Sequence, residues 1–567
     1  MKKNVLFILL DGCEYSTFEN SSESSLLAPN ISKLIKSGIK KKIISNGMIT
    51  QVALPPILTQ TYPLDFGGFN EGIKKRPRSI TEILKKDGYE TLFISGHGAI
   101  TGPRREFERG SNHVKSIFDF DDTIEDFIRH IIYYEFKRFD EKKISKRYLI
   151  SIIKNQFADI LQYAIDSYDR VDYFFLPRRL KKPTKKTITK LKEELKILKS
   201  NPEDIIKKLK LIPSRFYSDF LGIKFNLLDK KKISKKIKFK KKLYSLREKL
   251  NGLFRRKTGL GFSPFAIYVS PTASELFKAA KNFLIDHNDK VPWFIFMQCM
   301  DIHDGPKTCR LFNFIFKLQF IPRLLKIRKS YKTHRDFWRD LSLIYLDHEL
   351  GNFIKVLKRK DILKQTVFYL FGDHGMGWDA RRDNTLMNNL GARTYYEHIE
   401  VPLIISPCKK STKSGIHDSM SISASLLDEL DLKGHSSFRG KSVFSKGNLF
   451  SLVENTARGY CDINERDIFF TVTTKNFKCM FVLIKNQLYP MRLYNKISDP
   501  HEYTNILEKK FEKDAVDSLA LFVIKERREL LVSRGVNVKE ILSRKKKWII
   551  KEYKSDTYNS PRYYKKN

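Results

Sequence analysis

The stretch TVFYLFGDHG, residues 366–375, sets six strand-forming residues directly before an Asp-His pair that lies between two glycines. This run predicts a buried strand of a parallel sheet, which delivers polar side chains at its carboxyl end. Asp373 offers a carboxylate oxygen and His374 a ring nitrogen, a mixture that suits zinc or manganese better than calcium. The flanking glycines permit a sharp turn. A surface turn with a capping Asp is the alternative interpretation of the same residues.

A second strand-like run, Asn4–Leu10, also ends at an acidic residue, Asp11. Thr50 begins an apolar helical stretch, where helix amides and the helix dipole favour a bound anion. Each residue also has a plainer interpretation, because Asp11 could be a turn residue and Thr50 an N-cap. The presence of both residues, together with the Asp-His pair, favours the interpretation of each one as a site residue.

Further motifs follow one another along the chain in a recognisable order. From the amino end they are Asp11, the Pro29-Asn30 helix start, Thr50, Thr59 with Tyr62-Pro63, the segment 79–91, Asp373-His374, the strand Val401–Ile405, Leu493-Tyr494-Asn495 and the turn Asp499–Asn505. In this order they resemble the alkaline phosphatase superfamily, in its sulfatase-like branch. The resemblance implies an α/β fold, a three-layer sandwich with a central, mostly parallel sheet and a small C-terminal antiparallel sheet. It leaves one insertion uncovered, which we expect to be helical.

Carried over by position, the resemblance makes Thr50 the nucleophile and makes Asp11, Thr50, Asp373 and His374 the shell of one divalent metal. A threonine hydroxyl is a weak nucleophile, so the metal that would activate it fits the chemistry. Sulfatases of this kind carry a Cys or Ser, converted to formylglycine, where Thr50 stands, a second Asp where Gly12 stands, and Asn where His374 stands. These departures favour zinc or manganese and phosphorus chemistry, as in the phosphodiesterases and the phosphoethanolamine or phosphoglycerol transferases of the superfamily.

A second group of candidates follows the strand-like run Trp293–Met297 and the later Tyr-Glu pair. His303 precedes a proline as in the family, and it could bind a second metal or a substrate oxyanion, with Asp301 the weaker candidate. His398 could complete that second site, and Arg393 could clamp a phosphate oxygen. The expected content is therefore one or two ions, with Thr50, His303 and Arg393 as catalytic residues. The alternative is that Asp301 is a turn residue and His303 a bystander.

Composition bounds the class of protein. A chain of 567 residues with 41% apolar content can bury a large core, and no run approaches the roughly 18 apolar residues that a membrane helix needs. The six cysteines have no CxxC spacing, so we expect packed, reduced thiols. With no secretion signal recognised, the predicted compartment is the cytoplasm, with a peripheral position at a membrane as a further expectation.

The formal net charge of +43 is concentrated in residues outside the family motifs. Basic runs at 178–186 and 230–242, with helical spacing of apolar residues around them, predict a mainly helical insertion over 121–260. The other expected segments are 1–120 and 261–450 for the catalytic domain and 451–567 for a C-terminal subdomain with a basic tail. Three interpretations of the insertion stay open: a solvated lysine face, a platform for an anionic membrane or glycan, and a nucleic-acid surface. We rank the membrane or anionic glycolipid first and nucleic acid last.

The function that these patterns favour is a metal-dependent, sulfatase-like hydrolase or transferase that acts on phosphate esters through a threonine nucleophile. The expected substrate is a phosphodiester or the phosphorylated head group of a glycan or lipid. A non-catalytic protein of the same fold that binds an anionic membrane or polymer is the alternative. True sulfate-ester hydrolysis is disfavoured by Thr50, because threonine cannot be converted to formylglycine.

Overall fold

The computed structural model describes residues 2–96, 105–116, 133–172, 185–203, 271–304, 316–327, 334–377, 393–456, 467–484, 486–507 and 513–539. The strands are β1 Asn4–Leu10, β2 Ile39–Ile44, β3 Glu90–Ser95, β4 His113–Ser116, β5 Val171–Asp172, β6 Trp293–Cys299, β7 Thr366–Phe371, β8 Glu400–Ser406, β9 Ser451–Thr456, β10 Ile468–Thr473, β11 Phe477–Ile484 and β12 Gln487–Asn495. The helices are α1 Ser21–Leu27, α2 Pro29–Lys36, α3 Thr50–Thr59, α4 Ile80–Lys86, α5 Tyr133–Asp140, α6 Lys146–Arg170, α7 Lys185–Ser200, α8 Ala273–Asp286, α9 Asp301–Asp304, α10 Ile321–Ile327, α11 His334–Arg359, α12 Tyr396–Ile399, α13 Met420–Glu429, α14 Lys513–Glu526 and α15 Arg528–Ser533.

The central sheet has eight strands among the described residues, in the order β2-β8-β7-β1-β6-β3-β4-β5. The pairs of β6 with β1 and β3 are parallel, whereas β2 runs antiparallel to β8 at one edge. Strands β1, β6 and β7 are buried along their whole length, which explains their continuous apolar sequences. The predicted mixed α/β fold, with a central mostly parallel sheet and a small antiparallel sheet, is confirmed.

The chain divides into two compact units. One comprises residues 1–10, 21–33 and 81–368, and the other comprises 11–20, 34–80 and 369–567. In the first unit, Asp347 holds the start of α2. Its carboxylate accepts hydrogen bonds from the backbone N–H of Ile31 at 2.8 Å and from the Asn30 side chain at 2.9 Å. A carboxylate at this place satisfies helix amides that have no intrahelical partner, which accounts for the Pro29-Asn30 helix start.

The second unit carries a four-stranded antiparallel sheet in the order β12-β11-β10-β9. The strand-like runs 467–473, 478–483 and 487–493 predict three strands, and β10, β11 and β12 confirm them within one or two residues of their ends. The sequence of residues 509–534 predicts one helix, whereas the described part of this segment forms two, α14 and α15, on either side of Arg527. The Arg527 backbone, with φ −118° and ψ 24°, separates the two helices, and its guanidinium is buried against Asp65 and Glu454.

A fully buried arginine organises the loop that follows α3. Arg76 donates hydrogen bonds to the carbonyl oxygens of Tyr62 and Pro63, at 2.8 and 2.7 Å, and to that of Asp65 at 2.9 Å. Burial lowers the pKa of Arg76 to about 10, which keeps the group charged at neutral pH. One cation therefore satisfies several carbonyls of a loop that has little regular structure.

Three helices of the predicted insertion, α5, α6 and α7, lie in the described part of the chain. The buried face of α7 carries Leu191, Leu195 and Leu198, and this helix packs on α6. The basic run at 230–242 and most of the run at 178–186 lie outside the described residues. Within the described part, no helix has the length and apolar character needed to cross a membrane. The described cysteines Cys13, Cys299, Cys408 and Cys479 are free thiols.

Candidate active site

Two acidic residues reach the site from the ends of neighbouring strands. Asp11 directly follows β1 and Asp373 follows β7, and these strands are adjacent in the sheet. Both carboxylates are fully buried. The backbone N–H of Gly12 donates to Asp373 Oδ1 over 3.3 Å, which ties the two strand ends together. The sheet edge therefore brings together two acids, Asp11 and Asp373, that lie far apart in the sequence.

His374 is oriented by its own neighbour. Its Nδ1 lies 2.9 Å from the carbonyl oxygen of Gly375, which can only accept, so Nδ1 carries the proton. The other nitrogen, Nε2, then presents a lone pair 3.4 Å from Asp373 Oδ2 and 3.7 Å from Asp11 Oδ1. A lone pair that faces two carboxylate oxygens is an arrangement that a cation stabilises.

Thr50 meets this group from the first position of α3. Its Oγ1 donates to Asp11 Oδ2 over 3.0 Å and lies 3.3 Å from His374 Nε2. The N-cap of the helix is Ile49, so the Thr50 hydroxyl does not cap the helix as the plainer interpretation required. Of the residues predicted from sequence, the structure thus brings together Asp11, Thr50, Asp373 and His374.

The group fits a divalent cation. One ligand atom from each of Asp11, Asp373 and His374 lies within 4.8 Å of the others, and no other such trio occurs among the described residues. Burial, followed by the negative charge of Asp11, raises the pKa of Asp373 to about 6, whereas His374 opposes this rise. Two buried carboxylates in contact repel one another, and a bound cation would remove that repulsion. Two oxygens and one imidazole nitrogen suit zinc or manganese.

The glycines that flank the Asp-His pair, Gly372 and Gly375, allow neighbouring backbone to pack closely against the chain. Neither adopts a positive φ, so the expected sharp turn is not the reason for them. A Cβ on Gly372 would lie 2.5 Å from the carbonyl oxygen of Cys13, and one on Gly375 would lie 1.8 Å from that of Glu397. Any larger residue would push the Asp-His pair away from the backbone that supports it.

Sequence reasoning missed Ser45, which is fully buried and follows the last residue of β2. Its hydroxyl hydrogen-bonds the carbonyl oxygen of Asp373. The adjacent Asn46 donates from its side chain to the carbonyl oxygen of Leu452 at 2.7 Å, and so fixes the segment that leads to Thr50. The only sequence signal for Ser45 is a small hydroxyl residue at a strand end, which is common at surface turns as well.

Arg393 and His398 lie on the segment that includes α12. Both are half-buried. A Cβ on Gly377 would lie 2.2 Å from His398 Cε1, so the imidazole ring packs against the chain that follows the Asp-His pair. His398 also accepts, through its carbonyl oxygen, a hydrogen bond from Gly375 N–H at 2.7 Å. Their assignment to a phosphate clamp and a second metal stays a prediction.

Asp301 and His303 belong to the compact unit that comprises residues 1–10, 21–33 and 81–368, whereas Asp11, Thr50, Asp373 and His374 belong to the second unit. Asp301 is buried, accepts a hydrogen bond from Ala273 N–H at 2.7 Å at the start of α8, and lies 2.9 Å from Lys317 Nζ. These contacts give its carboxylate a helix-capping partner and an ion pair. His303 is half-buried on α9. The role of both residues in a second metal site stays a prediction.

Comparison with known families gives one match over most of the chain. A family model described as Sulfatase matches residues 3–175 and 255–432, which is more than half of the sequence. None of the curated proteins compared with the chain is similar to it in sequence.

Several solved structures match the chain at low sequence identity. A protein of Bacteroides thetaiotaomicron from work on glycosaminoglycan metabolism is 12% identical, with a TM-score of 0.52, and the match covers 96% of this chain and 99% of that one. The candidate sulfatase yidJ from Bacteroides fragilis is also 12% identical, with a TM-score of 0.51 and coverage of 96% and 98%. The lipoteichoic acid synthase LtaP from Listeria monocytogenes is 11% identical, with a TM-score of 0.44 and coverage of 95% and 92%.

Proposed function

This chain belongs to the sulfatase family, and from that premise we propose that it is a metal-dependent enzyme that hydrolyses or transfers phosphate esters with Thr50 as its nucleophile. The observation that carries the proposal is the Thr50 hydroxyl, which donates to Asp11 Oδ2 over 3.0 Å beside His374. The position that would hold a formylglycine precursor in the resembling sulfatases is thus occupied by an intact alcohol with a proton acceptor. An alcohol of this kind can attack phosphorus directly.

Asp11, Asp373 and His374 would hold one divalent ion of the zinc or manganese type. When bound, the ion would supply Lewis-acid charge near the attacked phosphorus and would favour the ionised form of the Thr50 alcohol. The residues themselves fit this task, because Nδ1 of His374 is engaged by the Gly375 carbonyl and Nε2 is left as the ligand atom.

In the first step, Thr50 Oγ1 transfers its proton to Asp11 Oδ2 and forms a bond to phosphorus. The bond between phosphorus and the leaving oxygen breaks, and the leaving oxygen takes the electron pair and, finally, the proton. In the second step, water or an acceptor alcohol attacks the phosphothreonine, the Oγ1–P bond breaks, and Oγ1 is protonated again. Arg393 and His398 are proposed to stabilise the free phosphoryl oxygens or the leaving group, as donors of hydrogen bonds.

The substrate class and the intermediate are tested together. The full-length protein, loaded with zinc or manganese, is assayed on a bis-nitrophenyl phosphate and on a nitrophenyl sulfate, and rapid acid quenching followed by peptide mass spectrometry searches for a phosphorylated Thr50. We expect phosphodiester turnover and a phosphoryl adduct on the peptide that contains Thr50. Faster turnover of the sulfate ester, or a modified residue other than Thr50, would refute the phosphate assignment. No turnover of either ester and no metal uptake would favour the non-catalytic binding protein.

The basic insertion supports a second, separate proposal about partners. On α7, Lys192, Lys196 and Lys199 recur at helical spacing and line, with Leu195 and Gln162, an open groove of about 620 Å³. All three lysines are exposed, and within the described part of the chain they form no ion pair with a carboxylate. We infer from this surplus of positive charge that α7 contacts an anionic membrane surface, while the cytoplasmic location stays a prediction.

Vesicle sedimentation tests this contact. The protein should bind phosphatidylserine-containing vesicles more than neutral vesicles, and replacing Lys192, Lys196 and Lys199 by glutamine should lower the bound fraction. Replacement of Lys355, Lys358 and Lys360, which lie near the end of α11 and beyond it, removes the same charge and serves as the matched control. Equal binding to neutral vesicles, or equal losses in both triple variants, would overturn the assignment to α7.

A further inference from the structure

We propose that Glu502, held by Lys478, is a positioning residue for His374; this inference rests on the proposed metal site. Both side chains of the pair are completely buried, and Lys478 Nζ lies 2.9 Å from Oε1 and 2.8 Å from Oε2 of Glu502. Glu502 also has a φ of +59° in the left-handed region, which is uncommon for a residue with a side chain. Such a conformation persists where surrounding contacts fix it, and it occurs often near functional sites.

The first link runs from Glu502 to α12. Glu502 Oε2 accepts a hydrogen bond from the backbone N–H of Tyr396 at 3.1 Å. Tyr396 is the first residue of α12, so its amide has no partner within the helix. The turn then closes on itself, since the N–H groups of His398 and Ile399 both donate to the carbonyl oxygen of Tyr395. The carboxylate therefore fixes where this short helix begins.

The second link runs from α12 to His374. The carbonyl oxygen of His398 accepts a hydrogen bond from Gly375 N–H at 2.7 Å, and the carbonyl oxygen of Gly375 in turn orients His374 Nδ1 at 2.9 Å. Gly375 has no room to move toward the turn, because even a Cβ on it would lie 1.8 Å from the Glu397 oxygen. A shift of α12 would thus carry Gly375 with it and turn the imidazole.

The chemistry of the pair supports a positioning role over a purely stabilising one. A buried ion pair gives little net stability compared with apolar residues of the same volume, because both charges lose their hydration. What the carboxylate supplies, and an apolar residue does not, is an acceptor at a fixed place for the Tyr396 amide. The direct partner of His374 is the Gly375 carbonyl, and loss of such a partner of a metal-binding histidine weakens metal binding by about 10- to 100-fold.

The test removes the N–H donor of the hydrogen bond from Tyr396 to Glu502. Tyr396→Pro deletes the donating N–H at the first helical position, where proline is tolerated, and Tyr395 already has the extended conformation that a following proline requires. Tyr396→Ala keeps the N–H and removes only the side chain, so it is the matched control. In full-length protein, zinc affinity is measured by calorimetry, and the visible spectrum of the cobalt-loaded protein reports the ligand geometry.

We expect Tyr396→Pro to bind zinc about 10-fold more weakly, the lower end of that range because the link acts through Gly375, and to show a changed cobalt spectrum, while Tyr396→Ala retains both properties. Equal zinc affinity and equal spectra in the two variants would overturn the positioning role. Should Tyr396→Pro not fold, the pair of double variants Lys478→Met with Glu502→Gln and Lys478→Met with Glu502→Leu repeats the comparison, because only glutamine keeps an acceptor. Asp373→Asn distinguishes failure of the positioning role of Glu502 from failure of the proposed metal site. If Asp373→Asn retains zinc, the metal site itself is wrong.

Discussion

Thr50 Oγ1 and Asp11 Oδ2 lie 3.0 Å apart, joined by a hydrogen bond that the hydroxyl donates. The bond connects the first residue of α3 with the residue that follows β1, both within the same compact unit. The carboxylate is buried, so it has little access to water and accepts the hydroxyl proton in a site of low polarity. This relationship pairs the proposed nucleophile with a proton acceptor before any substrate arrives.

Replacement of Thr50 by alanine should lower kcat on the phosphodiester by about 10⁴-fold or more, because the attacking oxygen is lost. Thr50→Ser keeps the hydroxyl and should retain activity within about tenfold. Steady-state kinetics with metal-loaded protein measures both variants, and circular dichroism verifies the fold. A Thr50→Ala protein that turns over at the rate of the unmodified chain would exclude Thr50 as the nucleophile.

Asp373→Asn should abolish tight zinc or manganese binding, measured by elemental analysis after dialysis, because it removes an anionic ligand. In the metal-free state the same change should raise the thermal unfolding midpoint. Burial and the charge of Asp11 raise the pKa of Asp373 to about 6, so at neutral pH its ionised form opposes folding. A lower midpoint for the metal-free variant would show that the two carboxylates do not repel one another.

Gly375→Ala should weaken metal binding and lower the unfolding midpoint, because the added methyl group would lie 1.8 Å from the Glu397 carbonyl oxygen. Gly88→Ala is the matched control. A methyl group there meets nothing within 4 Å, although its φ of +87° disfavours alanine by about 1 kcal/mol. Calorimetric zinc titration should find a change for position 375 and none for position 88.

The ion pairs of Glu400 should make the free energy of unfolding depend on pH in the acid range. It lies between Lys42 Nζ at 2.8 Å and Lys496 Nζ at 2.7 Å, and although burial opposes ionisation, the two cations lower its pKa to about 2. Because the folded pKa lies below the ordinary value, this stability is present above about pH 4.5 and is lost as the pH falls toward 2. Glu400→Gln should therefore destabilise the protein by up to about 3 kcal/mol at pH 7.

Urea unfolding at a series of pH values checks the prediction for Glu400. The difference between the unmodified chain and Glu400→Gln should narrow as the pH falls below about 4.5. Asp428→Asn, which breaks an exposed pair with Lys410, should change the free energy of unfolding by less than about 1 kcal/mol at every pH. A constant difference for Glu400→Gln across the series would contradict the assigned pKa.

The strands that carry Asp11 and Asp373 were predictable because each is an unbroken apolar run, as burial on both faces of a parallel sheet requires. The position of polar residues at the strand ends singled out Asp11, Asp373 and His374, and the family resemblance grouped them into one metal site. Ser45 was not predictable, since its bond to the Asp373 carbonyl joins residues 328 positions apart. The helix-capping contact of Asp301 depended in the same way on the path of the chain.

The sequence does not show which side chain pairs with a buried polar residue, as Glu502 illustrates. Asp499–Asn505 was recognisable as a family-like turn, but the partner of Glu502 was not, because Lys478 lies on a strand whose apolar neighbours predict only burial. A buried lysine within a strand is a rare enough pattern to indicate a paired charge, although it does not identify the partner.

Arg76 gathers the carbonyl oxygens of a loop around one guanidinium and thereby closes the segment from Thr61 to Arg76 as a non-covalent ring. Such a ring has the topology of a loop closed by a disulfide, but it forms without oxidation and joins the guanidinium to the Thr61 hydroxyl and to backbone carbonyl oxygens. The connection from α3 to α4 can therefore keep one shape in a reducing environment. A protease that needs an extended segment of chain would find this connection a poor substrate.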